Sequence, residues 1–185
     1  MTQVQTEAPI LIELDEQTRA EQLDKLVAWL DNVLMLQSRF RAYVEHTIDK
    51  IREPHIKAYL AELGERARLH EQQAEELYRV VGREPSRLRK GAGALLSTVS
   101  EVVADVQGVA GGAKGNWRDL RQLLLLNVDS MGAFAIAEQL GLALGIPAVV
   151  DIAFPIENEK SGHQLLLQEY VLEMASRSIL YESSI

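Results

Sequence analysis

Glu159 and His163 are the residues whose types and spacing most directly suggest chemistry. A carboxylate and an imidazole four positions apart lie on one face of a helix, where both can bind the same metal ion. Glu138 comes shortly before the end of the preceding helical segment. If the two segments pack antiparallel, Glu138 should stand at a similar height and complete a set of three ligands. The structural alternative makes Glu159 an anion at a helix N-terminus and His163 a hydrogen-bonded core residue.

His70 is a fourth candidate ligand, on the apolar stripe of another helical segment. On the same face, its neighbours Arg66 and Gln73 supply no carboxylate. A buried histidine with a hydrogen-bond partner is the commoner outcome for such a position, and we weigh it against a metal ligand. The candidate metal residues are therefore Glu138, Glu159, His163 and His70, and the sequence suggests no catalytic residue.

Other kinds of site find little support in the sequence. The chain has no Cys, which excludes disulfides, thiolate metal sites and cysteine nucleophiles. It contains no GxSxG elbow, and its glycine-rich stretches lack the lysine and serine of a phosphate-binding loop. Lys+Arg 19 against Asp+Glu 27 gives a net charge of -8, which disfavours nucleic acid and anionic membrane as partners.

Four amphipathic helical segments must position the candidate ligands. Apolar residues recur at steps of three and four in each segment, as they do on one face of a helix. The connection over 82–115 is far longer than the two to eight residues usual between neighbouring helices of a bundle. It contains an amphipathic stretch of its own, which suggests a crossover helix. The predicted segments are 19–51, 55–81, 116–144 and 156–181.

The ends and faces of these segments follow from local signals. Thr18 and Glu21 form a capping-box pattern that predicts the start of the first helix, after an N-terminal tail over 1–17. Pro155 leaves two starts open for the fourth helix, one near 148 and one near 156. The expected inner face of that helix consists of Ile156, Glu159, His163, Leu166, Tyr170 and Met174.

Three short stretches carry a family resemblance: 70–77 leading to Gly82, 135–137 leading to Gly145, and 158–160. With these stretches the chain resembles the ferritin-like superfamily, and among its members small bacterial stress-associated proteins, over about 20–181. The resemblance implies an all-α fold: a ferritin-like four-helix bundle of two antiparallel hairpins with a crossover helix. The bundle would form a single domain over 18–185.

The same resemblance implies a site that this chain has largely lost. Di-iron members of the superfamily use a Glu on helices one and three and a Glu-x-x-His on helices two and four. Here Ala67 stands three positions before His70, and Glu159 is followed by a histidine four positions later. The other positions that we align with ligand carboxylates hold Gln37, Ser38, Gly132 and Ala135.

We therefore expect a bundle with a degenerate or absent di-metal site, acting as a structural or interaction protein in stress physiology. The alternative is a metalloprotein that binds iron or manganese and performs redox or oxygen chemistry. We expect a homodimer in the cytoplasm, with no nucleic-acid or membrane partner and with room for a further protein partner. Enzyme activity is not expected. DNA protection is a weaker hypothesis, because the chain is acidic.

Overall fold

The computed structural model of the protein describes residues 15–85 and 116–181. Over these residues the chain is helical and contains no strand, which confirms the all-α prediction. The N-terminal tail over 1–14 and most of the predicted crossover lie outside the described residues. The described helices are α1 Glu16–Ile48, α2 Pro54–Val80, α3 Asn116–Ala143 and α4 Pro147–Leu180.

The start of α1 differs from the sequence prediction. Asp15 is the N-cap, and its carboxylate accepts a hydrogen bond from the backbone N–H of Thr18 at 2.9 Å. The Thr18 hydroxyl donates to the second carboxylate oxygen of Asp15 at 2.7 Å. The predicted capping box is therefore wrong, because an earlier Asp satisfies the exposed N–H and places Thr18 inside the first turn.

Two helices end at glycines with positive φ. Gly82 has φ 67°, directly after the end of α2, and Gly145 has φ 63° in the turn between α3 and α4. Both values lie in the left-handed region that glycine adopts without the steric cost of a Cβ. Pro54 and Pro147 stand in the first turns of α2 and α4, where the missing N–H costs no helical hydrogen bond.

The fourth helix begins at Pro147, so the earlier of the two predicted starts is confirmed. Pro155 lies inside the helix and leaves the carbonyl of residue 151 without its usual N–H partner. The residue at that position, Asp151, is exposed. Water can therefore reach that turn of the helix, which explains why the proline is tolerated there.

The four helices form a closed ring of contacts, in which α1 packs on α2 and α3, and α4 packs on α3 and α2. In each contact, residue numbers that rise along one helix pair with residue numbers that fall along the other. Two hydrogen bonds show this in each contact. They are Gln37–Ala67 and Tyr78–Asp31 between α1 and α2, and Trp29–Ala133 and Tyr43–Asp119 between α1 and α3. They are Asn127–Lys160 and Trp117–Val171 between α3 and α4, and His70–Glu159 and His55–Glu173 between α2 and α4.

Two apolar clusters fill the interior, one toward each end of the bundle. One surrounds Phe40, Leu63 and Leu123, with Trp117 packed against it. The other surrounds Leu30, Leu77 and Phe134, with Trp29 packed against it. Buried polar residues lie between the two clusters, at the middle of the helices.

Among the described residues, α3 is the one helix whose length and composition would allow it to cross a membrane. Core helices also pass this test. In this structure α3 buries Asn127 and Ser130 in hydrogen bonds with α4 and α1. These two polar residues are thus part of the bundle interior.

Candidate functional site

A layer of buried polar side chains crosses the middle of the bundle, and every helix contributes to it. Gln37 of α1 donates to the carbonyl of Ala67 at 2.8 Å and accepts from the Ser130 hydroxyl at 2.8 Å. Asn127 of α3 donates to the carbonyl of Lys160 at 3.0 Å and to Gln164 at 3.1 Å. We call this set the central polar layer; it consists of Gln37, His70, Asn127, Ser130 and Lys160, all buried.

Lys160 is the unexpected member of the central polar layer. Its side chain is 0 % exposed, and its Nζ makes no hydrogen bond. The amino group lies 4.0 Å from the centroid of the Phe40 ring, a cation–π geometry that offsets part of the cost of burying a charge. Burial lowers the pKa of Lys160 to about 7, although the neighbouring Glu159 opposes the shift. The amino group therefore releases its proton far more readily than that of an exposed lysine.

Glu159 joins the layer from its edge, where it bridges α4 to α2. Its Oε2 accepts a hydrogen bond from His70 Nε2 at 3.1 Å, and its Oε1 lies 3.3 Å from Arg66 Nε. Burial alone would raise the pKa of the Glu159 carboxyl. The bond from His70 and the nearby cations outweigh burial and lower it, so the carboxylate is ionised at neutral pH.

His163 completes the group on the same side of α4. Its Nδ1 lies 2.8 Å from the Tyr59 hydroxyl, and its Nε2 lies 3.5 Å from Glu159 Oε1 without forming a hydrogen bond. Burial raises the pKa of Tyr59, so the phenol keeps its proton and donates to Nδ1. The neutral imidazole then carries its proton on Nε2, on the side facing Glu159.

Both histidines of the group are held neutral at pH 7. Burial, assisted by the charge of Lys160, lowers the pKa of His70 to about 4. Burial also lowers the pKa of His163, although Glu159 opposes the shift. At neutral pH His70 therefore acts toward Glu159 as an uncharged hydrogen-bond donor, so Arg66 and Lys160 are the cations beside this carboxylate.

The structure brings together three of the four predicted ligands and leaves one apart. His70, Glu159 and His163 meet at the edge of the central polar layer. Asn127 is level with Lys160 through their hydrogen bond. Glu138 follows Asn127 by eleven residues along α3, which places it about 16 Å further along the helix axis. It therefore does not stand at the height of Glu159, and the expected alignment of these two carboxylates is wrong.

The donor set does not fit a paired-metal centre. Two metals need several bridging carboxylates, whereas the group supplies one carboxylate and two imidazoles, next to the cations of Arg66 and Lys160. Among the described residues, no group of three or more His, Asp or Glu side chains could hold a metal ion as arranged. As the structure stands, both oxygens of Glu159 are engaged by side chains of α2.

The expected inner face of α4 is confirmed at Ile156 and Met174 but is displaced by one position between them, and that displacement hid Lys160. Leu166 is exposed, and Glu159, His163 and Tyr170 are half-buried, while Lys160, Leu167 and Val171 are buried. Because α4 packs on α2 and α3 at once, its buried stripe lies between the two contacts. One signal pointed to this face: Ile156, Lys160, Leu167, Val171 and Met174 also follow helical spacing.

No protein-family model matches the chain. A search of curated proteins likewise finds no significant match.

Proposed function

We propose that the chain is a ferritin-like bundle of two antiparallel hairpins with a crossover, acting as a structural or interaction protein in stress physiology. In this proposal a lysine occupies the middle of the bundle, where metal-binding relatives would carry carboxylate ligands. The amino group of Lys160, buried among the four helices, carries the proposal. A buried cation beside Glu159 repels a divalent metal ion, because both would compete for the same carboxylate.

The order of contacts between the helices supports the proposed arrangement. The bonds Gln37–Ala67 and Tyr78–Asp31 pair α1 with α2 in opposite directions, as a hairpin does. The bonds Asn127–Lys160 and Trp117–Val171 do the same for α3 and α4. Joining the end of α2 to the start of α3 then requires a long connection, which is the feature that distinguishes crossover bundles.

Metal analysis tests the proposal directly. The protein, purified without chelator, should contain less than stoichiometric iron, manganese or zinc and should not bind added Fe(II). Lys160→Met removes the cation, so we expect it to bind Co(II) at least tenfold more tightly, with a visible absorption band from nitrogen and oxygen ligands. Lys57→Met, at an exposed position of α2, is the matched control. Stoichiometric metal in the natural protein that disappears in Glu159→Ala and His163→Ala would refute the proposal.

The second candidate function is binding of a single metal ion, iron or manganese, with redox activity. One observation favours it: the imidazoles of His70 and His163 each lie within 3.5 Å of the Glu159 carboxylate. Their capture of a metal would require Lys160 to be neutral, which the pKa of about 7 allows above neutral pH. Binding of Fe(II) by the natural protein at pH 8.5 but not at pH 6 would support this candidate.

Interaction with other molecules, including a second copy, rests on the distribution of exposed apolar side chains. Large apolar residues are exposed mainly on α3 and α4, among them Leu125, Val128 and Ile136 on α3. Exposed apolar patches of several hundred Å² commonly mark protein contacts. Light scattering during size-exclusion chromatography should report a dimer, and Leu125→Glu with Ile136→Glu should convert it to a monomer. A monomeric natural protein would refute the dimer, and a dimer unchanged by both substitutions would exclude this face.

A further inference from the structure

Tyr59 and His163 form a hydrogen-bonded pair between α2 and α4. The Tyr59 hydroxyl lies 2.8 Å from Nδ1 of His163, and the two ring centroids are 6.0 Å apart. Both side chains are half-buried. Because burial lowers the pKa of His163, the imidazole is neutral at pH 7 and presents the lone pair of Nδ1 to the phenol. The pair therefore joins a proton donor directly to a base.

The hydrogen bond to His163 affects how easily the phenol of Tyr59 can lose an electron. A phenol that loses an electron alone becomes a cation radical, which is a much stronger acid than an imidazolium ion. If the proton leaves at the same time along an existing hydrogen bond, the product is a neutral phenoxyl radical, and the oxidation costs less free energy. A neutral imidazole in hydrogen-bond contact can accept that proton.

Other aromatic side chains in the described part of the chain donate to different acceptors. The hydroxyls of Tyr43 and Tyr78 donate to carboxylates, and both side chains are buried. The indole N–H groups of Trp29 and Trp117 donate to backbone carbonyls. A carbonyl does not take up a proton under these conditions, and a carboxylate is ordinarily a weaker base than an imidazole. The acceptor of Tyr59 is thus the one best suited to proton uptake.

A row of aromatic rings leads from the surface to Tyr59. The ring centroid of Tyr170 lies 5.3 Å from that of Tyr59, and the ring of the exposed His55 lies 5.8 Å from that of Tyr170. Rings at these distances are close to van der Waals contact, and electrons cross such gaps readily. An oxidant at the surface between α2 and α4 can therefore take an electron by way of Tyr170 without entering the bundle.

Two carboxylates favour the ion that proton transfer would create on His163. Glu159 Oε1 lies 3.5 Å from Nε2 of His163, and the charge of Glu62 acts on the same imidazole. The charge of Lys160 opposes them. Nε2 is buried and makes no hydrogen bond in the neutral pair. An imidazolium would therefore gain an attraction to Glu159 that the neutral ring lacks.

We propose that Tyr59 is a redox-active tyrosine, which gives one electron to small inorganic radicals such as nitrogen dioxide. The electron passes from the phenol to the radical, and the O–H bond of Tyr59 breaks as an N–H bond forms on Nδ1 of His163. The products are nitrite, a neutral phenoxyl radical on Tyr59 and an imidazolium ion on His163. The inference requires no bound metal, and it stands whether or not the proposed structural role is correct.

Flash photolysis in the presence of a metal chelator tests the inference. Light converts tris(bipyridine)ruthenium(II), with persulfate, into a one-electron oxidant, and electron paramagnetic resonance of freeze-quenched samples measures the tyrosyl radical. Tyr59→Phe removes only the hydroxyl and should lower the radical yield severalfold. His163→Gln keeps a hydrogen-bond acceptor but removes the base, so it should lower the yield to a similar extent. The rate of oxidation should show a solvent deuterium isotope effect that disappears in both variants.

Tyr43 and His46 provide the matched control. Their ring centroids are 5.8 Å apart, but the Tyr43 hydroxyl donates to a carboxylate instead of the imidazole. Tyr43→Phe and His46→Gln should leave the radical yield close to that of the natural protein, and circular dichroism checks that every variant is folded. An unchanged yield in Tyr59→Phe, or an equal loss in Tyr43→Phe, would overturn the inference. A full yield in His163→Gln would also overturn it, because His163 would then not be the proton acceptor.

Discussion

At the scale of single residues, Lys160 decides how the middle of the bundle behaves. Its neighbours are an aromatic ring and one carboxylate, rather than the carboxylates that would fully pair it. A buried, incompletely paired cation costs several kcal/mol, and the side chain reduces this cost by releasing its proton. The residue therefore couples the stability of the fold to pH.

The pH dependence of stability should reveal Lys160. Its folded-state pKa of about 7 lies below the ordinary 10.5, so between these values the unfolded chain holds a proton that the folded chain has released. Stability from this group is complete above pH 10.5 and is lost as the pH falls through 7. Between pH 7.5 and 9.5, the free energy of unfolding should rise by up to about 1.4 kcal/mol per pH unit more than in Lys160→Met.

Urea unfolding of the two proteins at several pH values in that window provides the measurement. Lys57→Met, which removes an exposed lysine, should keep the slope of the natural protein. The window ends before pH 10 because burial raises the pKa of Tyr43 and Tyr59, and ionisation of these tyrosines in the unfolded chain then opposes the effect. Parallel slopes for the natural protein and Lys160→Met would contradict the lowered pKa.

At the scale of the helix, ends and close contacts fix where each element starts and how closely it packs. Asp15 replaces the predicted Thr18 as the cap of α1 because its carboxylate can accept from both the Thr18 backbone and hydroxyl. The sequence offers both residues, and propensities do not separate them, since Asp and Thr are both good caps. Asp15 and Thr18 are distinguished as caps only by where the first helical turn begins, which is at Glu16 in the structure.

Replacing the cap tests which residue starts α1. Asp15→Ala leaves an N–H of the first turn without its partner, so it should lower the free energy of unfolding and move the urea midpoint to a lower concentration. Glu21→Ala removes the carboxylate that the predicted capping box would have used, and it should cost much less, because that carboxylate accepts a hydrogen bond from the exposed side chain of Gln17 instead of capping the helix. Urea denaturation compares the two, and a larger loss for Glu21→Ala would restore the sequence-based start.

The turn between α3 and α4 depends on a glycine inside α3. A Cβ added at Gly141 would lie 2.8 Å from Val149 Cγ1 and 2.9 Å from Val149 Cβ, which is too close for packed atoms. Gly141→Ala should therefore destabilise the protein by about 1–3 kcal/mol. Gly132 and Gly162 lie in helices with no atom within 4 Å of an added Cβ.

Those two positions supply matched controls for the glycine test. Gly132→Ala or Gly162→Ala should stabilise the protein by roughly 0.5–1 kcal/mol, because alanine loses less backbone entropy in a helix. Thermal unfolding followed by circular dichroism measures all three variants. If Gly141→Ala were as stable as the control variants, α3 and α4 could not approach as closely as this contact requires.

At the scale of the whole molecule, the sequence predicted the helices better than the site. Apolar residues at steps of three and four fix the inner faces of α1 and α2, and residues on these faces, such as Leu30 and Leu63, are buried. The same pattern fails on the middle of α4, where three consecutive leucines at 165–167 allow more than one stripe and the choice depends on which neighbours the helix has. Lys160 was missed because a lysine is normally assigned to solvent. The meeting of His70 with Glu159 depends on the pairing of α2 with α4, which no local pattern encodes.

The central polar layer divides the interior into two apolar clusters, and this raises the question whether the halves unfold together. Each cluster contains one tryptophan whose indole N–H donates to a carbonyl on another helix. Trp29 bonds Ala133 at 3.0 Å, and Trp117 bonds Val171 at 3.0 Å. All four helices run through both clusters. Neither cluster can therefore lose its packing while the helices stay in place for the other.

We accordingly expect one cooperative transition. In Trp29→Phe the fluorescence reports the cluster around Trp117, and in Trp117→Phe it reports the cluster around Trp29. Within each variant, the urea midpoint from fluorescence should equal the midpoint from far-ultraviolet circular dichroism, which is the test of two-state unfolding. Comparison within one variant removes the stability change caused by the substitution itself. A different result would be a fluorescence midpoint at a lower urea concentration than the circular-dichroism midpoint of the same variant. In that case the central polar layer separates two folding units, and the expectation of one cooperative transition is wrong.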